Sequence, residues 1–106
     1  MPSMNVTPLG VFIPTTEGAL GGAPLANTEH LCDIAVVNVS NASVNARLGV
    51  TDGTTTIWLM PDKDIAAKDR IDVWYNFALV PGWQFIGRAS DINAAQLVVS
   101  ATYRRT

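Results

Sequence analysis

The sequence predicts an all-β fold: an antiparallel β-sandwich of jelly-roll or immunoglobulin-like type with an extended N-terminal arm. Three observations carry that prediction. Residues 31–103 hold six or seven short apolar runs, separated by turn residues and lacking the 3.6-residue periodicity of a helix. Asp52-Gly53 stands between two of those runs and is a strong hairpin signal. Residues 1–28 carry four of the six prolines and four of the eight glycines, which resists a helix and suits an extended arm. The division expected is an arm at 1–28 and a sandwich domain at 29–106.

The elements follow in order. Leu9, Val11 and Ile13 share one face of any strand formed in the arm, and Phe12 lies between them. Such a stripe needs a surface, either its own sandwich or a neighbour. Residues 31–39 (LCDIAVVNV) are apolar on both faces, as expected of a central strand. Residues 44–51 alternate, with Val44, Ala46, Leu48 and Val50 directed inward. A third run at 54–60 is expected to end at Pro61, and residues 65–68 to form one helical turn. Residues 70–75 alternate again, Pro81-Gly82 makes a turn, and strands at 84–89 and 96–103 complete the set.

The chain has 106 residues, enough for one domain. Only 15% of its residues are charged, against roughly 25% in an average soluble domain. So few charges leave neutral or apolar surface outward, which reads either as subunit contacts or as a plain surface of Thr, Ser, Asn and Ala, with contacts the favoured reading. A formal net charge of −2 argues against a nucleic-acid grip. No apolar run approaches the roughly 18 residues of a membrane-spanning helix. The start, MPSMNVTPLG, has neither a basic nor a continuous apolar region, so no secretory signal is expected. A single cysteine, Cys32, excludes an internal disulfide and reads as a small buried hydrophobe.

Candidate chemistry is sparse. His30 and Cys32, with Asp33, supply too few ligands for zinc, so no metal is expected. The stretch PDKDIAAKDR lacks the spacing of a calcium loop and reads as a solvated, charge-compensated segment. No nucleophile elbow surrounds any serine, so no catalytic site and no cofactor are expected. The sequons at Asn5, Asn38 and Asn41 read as strand and turn chemistry. Trp58, Trp74 and Trp83 are the notable side chains. Trp58 and Trp74 alternate against apolar neighbours and so leave the core face, as a subunit interface would require. A sugar-stacking platform and a covered core are the competing readings. Arg104 and Arg105 either pair with acidic residues of a partner or form a solvated tail.

Residues 34–53 (IAVVNVSNASVNARLGVTDG) resemble small virion structural proteins of tailed bacteriophages, in which a strand ends in an Asn-x-Ser-like corner before an alternating strand and a tight turn. Residues 77–104 resemble their closing pattern at Leu79, Gly82, Arg88, Ala89, Ser90, Asn93 and Ala94. The resemblance spans residues 31–104. It departs at Trp83, where a polar residue is usual, and at Ile65-Ala66-Ala67-Lys68, where apolar-Pro-Ala-Gly is usual. It implies no catalysis, no cofactor and no transferred site residue. The role it implies is a virion subunit, a capsid decoration or cement protein, assembled in the host cytoplasm. Its expected partners are copies of itself, a trimer among the forms expected, and a major capsid protein or tail proteins. A tail or baseplate accessory and a carbohydrate-binding module for host attachment are the alternatives. The candidate interface residues are Leu9, Val11, Phe12, Ile13, Trp58, Trp74, Trp83, Arg104 and Arg105, with the arm adding to exposed strand edges of a neighbour.

Overall fold

The computed structural model describes residues 4–5, 9–21, 23–24, 26 and 28–105, with the side chains of Met4, Asn5, Leu9 and residues 101–105 left out. The strands are β1 (Met4–Asn5), β2 (Leu9–Phe12), β3 (Gly18–Gly21), β4 (Thr28–Asn38), β5 (Val44–Thr51), β6 (Thr56–Ile65), β7 (Arg70–Leu79), β8 (Gln84–Ala89) and β9 (Ala95–Arg105). The first sheet runs β1–β9–β4–β7, with β2 also on β9, and the second runs β3–β8–β5–β6. Every pairing is antiparallel. The two sheets face each other as a β-sandwich, the class that the alternating runs predict.

The core lies between the sheets. Cys32, Ile34 and Val36 of β4, Leu97 and Val99 of β9, the four inward residues of β5, and Phe85 of β8 fill it. The alternation of β5 thus acts as predicted: Val44, Ala46, Leu48 and Val50 are all buried. Residues 9–21 lie on the chain's own sheets, with β2 along β9 and β3 along β8. Ile13 crosses between them with no exposed surface. Its N–H donates to the Ala95 carbonyl at 2.8 Å, and the Pro14 carbonyl accepts from Ala89 N–H at 2.8 Å.

Four local expectations are corrected. Pro61 does not end its strand, because β6 continues to Ile65. β6 is an edge strand with a bulge at Pro61, where the missing N–H costs no ladder bond. The turn before β6 spans Asp52 to Thr55, so β6 starts at Thr56 and not at 54. The Asp52 carboxylate accepts from the N–H groups of Thr54 and Thr55 at 2.9 and 2.7 Å. These bonds hold its pKa below the usual carboxylate range. Residues 65–68 form no helical turn. Asp69 N–H closes on the Ala66 carbonyl at 3.1 Å, and Lys68 has φ of 60°. β7 also runs past Tyr75 to Leu79, bulging at Asn76, whose φ is 55°.

Gly49 of β5 is required by close approach. A Cβ there would fall 2.5 Å from the Ile57 carbonyl oxygen and 2.9 Å from Trp58 Cε3. Gly49→Ala must push backbone away from backbone, so it is expected to cost about 2 kcal/mol. Urea unfolding checks this, and an unchanged midpoint would contradict the packing described.

Candidate functional site

The two sides of the sandwich differ. On one side residues 9–21 run along the edges of both sheets. On the other, β6 and β7 are the edges and lie next to each other. Each of these strands carries two extra residues relative to its partner strand. Bulges of this kind, with Pro61 on β6, twist an edge and discourage addition of another strand. The exposed edges expected to accept a neighbour's arm are therefore poorly suited to it on this side. Side chains, and not unpaired backbone, are what this surface offers.

Those side chains divide into two halves. At the turn end, Leu59 to Lys63 and Ile71 to Val73 line a shallow cleft of about 430 Å³ with mixed polarity. Arg70 Nη2 donates to Asp72 Oδ1 at 2.7 Å, and these two residues line a separate pocket with Tyr75. Arg70, together with a hydrogen bond from Tyr75, holds the Asp72 carboxyl below its ordinary pKa. The same bond to Asp72 raises the Tyr75 phenol. At the opposite end, Val50, Ile57, Phe77–Val80 and Trp83 line an apolar cavity of about 180 Å³. No charged side chain lines it. Ile57 is 51% exposed and Val80 41%. Both side chains lie at the rim of this cavity.

The predicted interface residues are not all brought together. Trp83 is half-buried against the core and forms a wall of the apolar cavity. The Pro81-Gly82 turn places it there: Trp83 N–H donates to the Val80 carbonyl at 3.2 Å, and Gly82 takes φ of 90°. Trp74 is 48% exposed and packs edge-on against Phe77, with centroids 5.8 Å apart. Trp58 is 38% exposed and lies on the other sheet, over Gly49, with the Arg47 guanidinium 4.9 Å from its ring centroid. Phe12 is exposed on β2, Val11 is half-buried, and Ile13 is sealed in the core. The side chains of Leu9, Arg104 and Arg105 lie outside the described residues.

Ile57 and Val80, which are exposed, and Phe77, which is half-buried, are the cavity-lining residues that the sequence did not single out. Ile57 opposes Val50, so alternation directs it inward. It sits at the strand's start, where no neighbour covers it. Val80 precedes Pro81, and that boundary was the available signal for an end-of-strand apolar residue.

The polar groups form structural pairs. Arg47 pairs with Glu17 of the N-terminal segment and reaches Asp62 at 3.8 Å, while Arg88 lies 4.0 Å from Asp62. Among the described residues, no three of His, Cys, Asp and Glu gather as a metal site. Burial lowers the pKa of His30. Burial, and then the neighbouring Asp33 charge, push the Cys32 thiol up to about 11. Cys32 is thus expected to resist maleimide at pH 7 in the folded protein and to react fully in denaturant. Rapid labelling of native protein would show that β4 opens.

No family model matches the chain, and no curated protein matches it. Twelve chains of known structure do. Two are crystal structures of a pentameric capsid protein isolated from metagenomic phage sequences, one of them solved by iodide phasing. Each is 18% identical, with a TM-score of 0.42 over 92% of this chain. This chain covers 60% and 61% of the length of those chains, so it spans about three-fifths of that protein.

Proposed function

We propose that this chain is a non-enzymatic structural subunit of a phage virion, a capsid decoration or cement protein that works by binding energy alone. The observation that carries the reading is the apolar end of the β6–β7 side, where Ile57, Phe77, Val80 and Trp83 surround a cavity free of charge. The phage setting comes from the resemblance of residues 31–104 to small virion proteins of tailed phages. In this reading the apolar end packs against another copy of the chain, and the oligomer sits on the major capsid protein. Trp74, beside Phe77, forms part of the contact.

The energetics fit such a role. Burying side chains of this size contributes about 1.5–3 kcal/mol each when they are fully covered. Several such contacts repeated by symmetry give a stable assembly without any strong polar interaction. A carbohydrate module would instead need free aromatic ring faces. The Arg47 guanidinium covers one face of Trp58.

The test is Trp74→Ala and Val80→Glu, each followed by thermal unfolding and by mass in solution. Both side chains are exposed, so the fold is expected to survive while assembly weakens by tenfold or more. Unchanged assembly in both variants would overturn the reading. Tryptophan fluorescence that responds to glycans would move the function to attachment.

A further inference from the structure

The N-terminal segment has an unusual relation to the rest of the domain. Residues 9–21 supply an edge strand to each sheet, β2 on β9 and β3 on β8. The segment is anchored by Ile13, with Val11 and Leu20 half-buried against the core beside it. Ile13 is fully buried, and its Cγ2 would lie 3.2 Å from a Cβ at Gly87. Leu20 Cδ1 approaches the same position at 3.4 Å. The absence of a side chain at Gly87 is thus what makes room for both. Glu17 adds an ion pair to Arg47 on β5. Every contact named is made to β5, β8, β9 or the residues flanking them. The covalent link from the segment to β4 runs through residues 22–27, in the sequence Gly-Ala-Pro-Leu-Ala-Asn.

Contacts of this kind are indifferent to which chain supplies the segment. A second copy's residues 9–21 would form the same strand pairs, seat the same isoleucine beside Gly87 and form the same ion pair. The balance between the two forms is then set by the short link and by concentration. A short link gives its own segment an effective concentration on the order of millimolar. Subunits crowded into an assembly meet that concentration, and exchange of an identical element is a low-cost route to linked copies.

We propose that residues 9–21 form an exchangeable clasp, which in the assembled protein occupies the β8–β9 side of a neighbouring copy of this chain. The proposal rests on the oligomeric reading above and adds to it the identity of the linking segment. The exchanged segment would link copies through the β8–β9 side, opposite the β6–β7 side.

Paired cysteines test this on the full chain. Gly10 faces Val98 across β2 and β9, and Ala19 faces Ile86 across β3 and β8. Cross-strand neighbours in register are close enough to form a disulfide after small adjustments. Gly10→Cys with Val98→Cys, and separately Ala19→Cys with Ile86→Cys, are oxidised at about 1 mM protein, near the effective concentration expected of a short link, and at about 1 µM, far below it. Non-reducing gels and peptide mapping then read which chain each cysteine joined. Buried Cys32 stays out of the reaction, and single-cysteine variants control for random cross-linking. The expected result is covalent dimers and longer ladders at the high concentration, and closed monomers at the low one. Disulfides closed only within one chain at both concentrations would overturn the proposal. So would a failure of both pairs to oxidise, since an exchanged segment keeps the same register. An oligomer by light scattering whose disulfides are all intramolecular would overturn exchange while leaving the oligomeric reading in place.

Discussion

Asn38→Ala is expected to destabilise the domain by about 3 kcal/mol, the cost of stranding several buried polar groups at once. Asn38 is fully buried at the end of β4. Its Nδ2 donates to the carbonyls of Ala42, Ile65 and Ala66 at 2.7, 3.0 and 3.1 Å. Its Oδ1 accepts from the Ser40 N–H at 2.9 Å and the Ser40 hydroxyl at 2.7 Å. One side chain therefore ties the β4–β5 corner to the turn between β6 and β7, across the two sheets. Alanine leaves those groups without their partner in a place water reaches poorly. In a domain of this size the loss is expected to lower Tm by about 15 °C. Asn38→Asp is informative because it keeps the acceptor and loses the donor. Its carboxylate would face three carbonyl oxygens, so its folded-state pKa would rise above the unfolded value. The variant should then be most stable below the unfolded carboxyl pKa and lose stability as pH rises through the folded one. Thermal melts at about pH 3.5 and about pH 7 check the sign. Equal or opposite pH behaviour would contradict the described bonding.

Ile13→Ala is expected to cost a similar amount, about 3 kcal/mol, because it opens a cavity between the sheets. Ile13 is fully buried in the core and its segment is held by backbone bonds on both sides. The effect separates two pictures of the N-terminal residues. If the segment were a free arm, shortening Ile13 would leave the melting curve unchanged. In the structure it completes the core, so the curve should shift as strongly as for a central strand residue. Filling the space from the other direction is also expected to fail. A Cβ at Gly87 would fall 2.8 Å from the Arg47 carbonyl oxygen as well as against Ile13.

Much of the sandwich was legible in local pattern. β5 and β8 occupy residues 44–51 and 84–89, as alternation and flanking turns predict. β4 and β9 run longer than their apolar runs, because strand pairing with each other extends them into polar residues. β6 and β7 were harder. Pro61 normally ends a strand, yet at a bulged edge it costs no ladder bond. Asn76 takes a left-handed conformation in the middle of β7, and that bulge hides the continuity of residues 70–79 from a period-two reading. The site was legible only in part. The outward placement of Trp58 and Trp74 follows from alternation, and both are exposed. The exposure of Ile57 does not follow, since it depends on what the opposite sheet fails to cover. Asn38 was readable as corner chemistry. Its bonds to residues 27 and 28 positions later are a tertiary fact that no local pattern contains.

The N-terminal segment and the apolar end suggest a division of labour in the protein's construction. One side of the sandwich is closed by residues 9–21. The other is bulged against strand addition but leaves apolar side chains at one end. On the function proposed above, a chain with only 15% charged residues would select its partners mainly through these two features. Its specificity would then come from shape at the Trp83 cavity and from the segment that seats Ile13.

The most direct test of this account is the mass of the full chain in solution, by size-exclusion chromatography with light scattering, beside Val80→Glu. The account predicts a discrete oligomer for the unaltered protein, shifting to the 11.3 kDa monomer in the variant with the fold retained. A monomer for the unaltered protein at every concentration, or an oligomer indifferent to Val80→Glu, would contradict it.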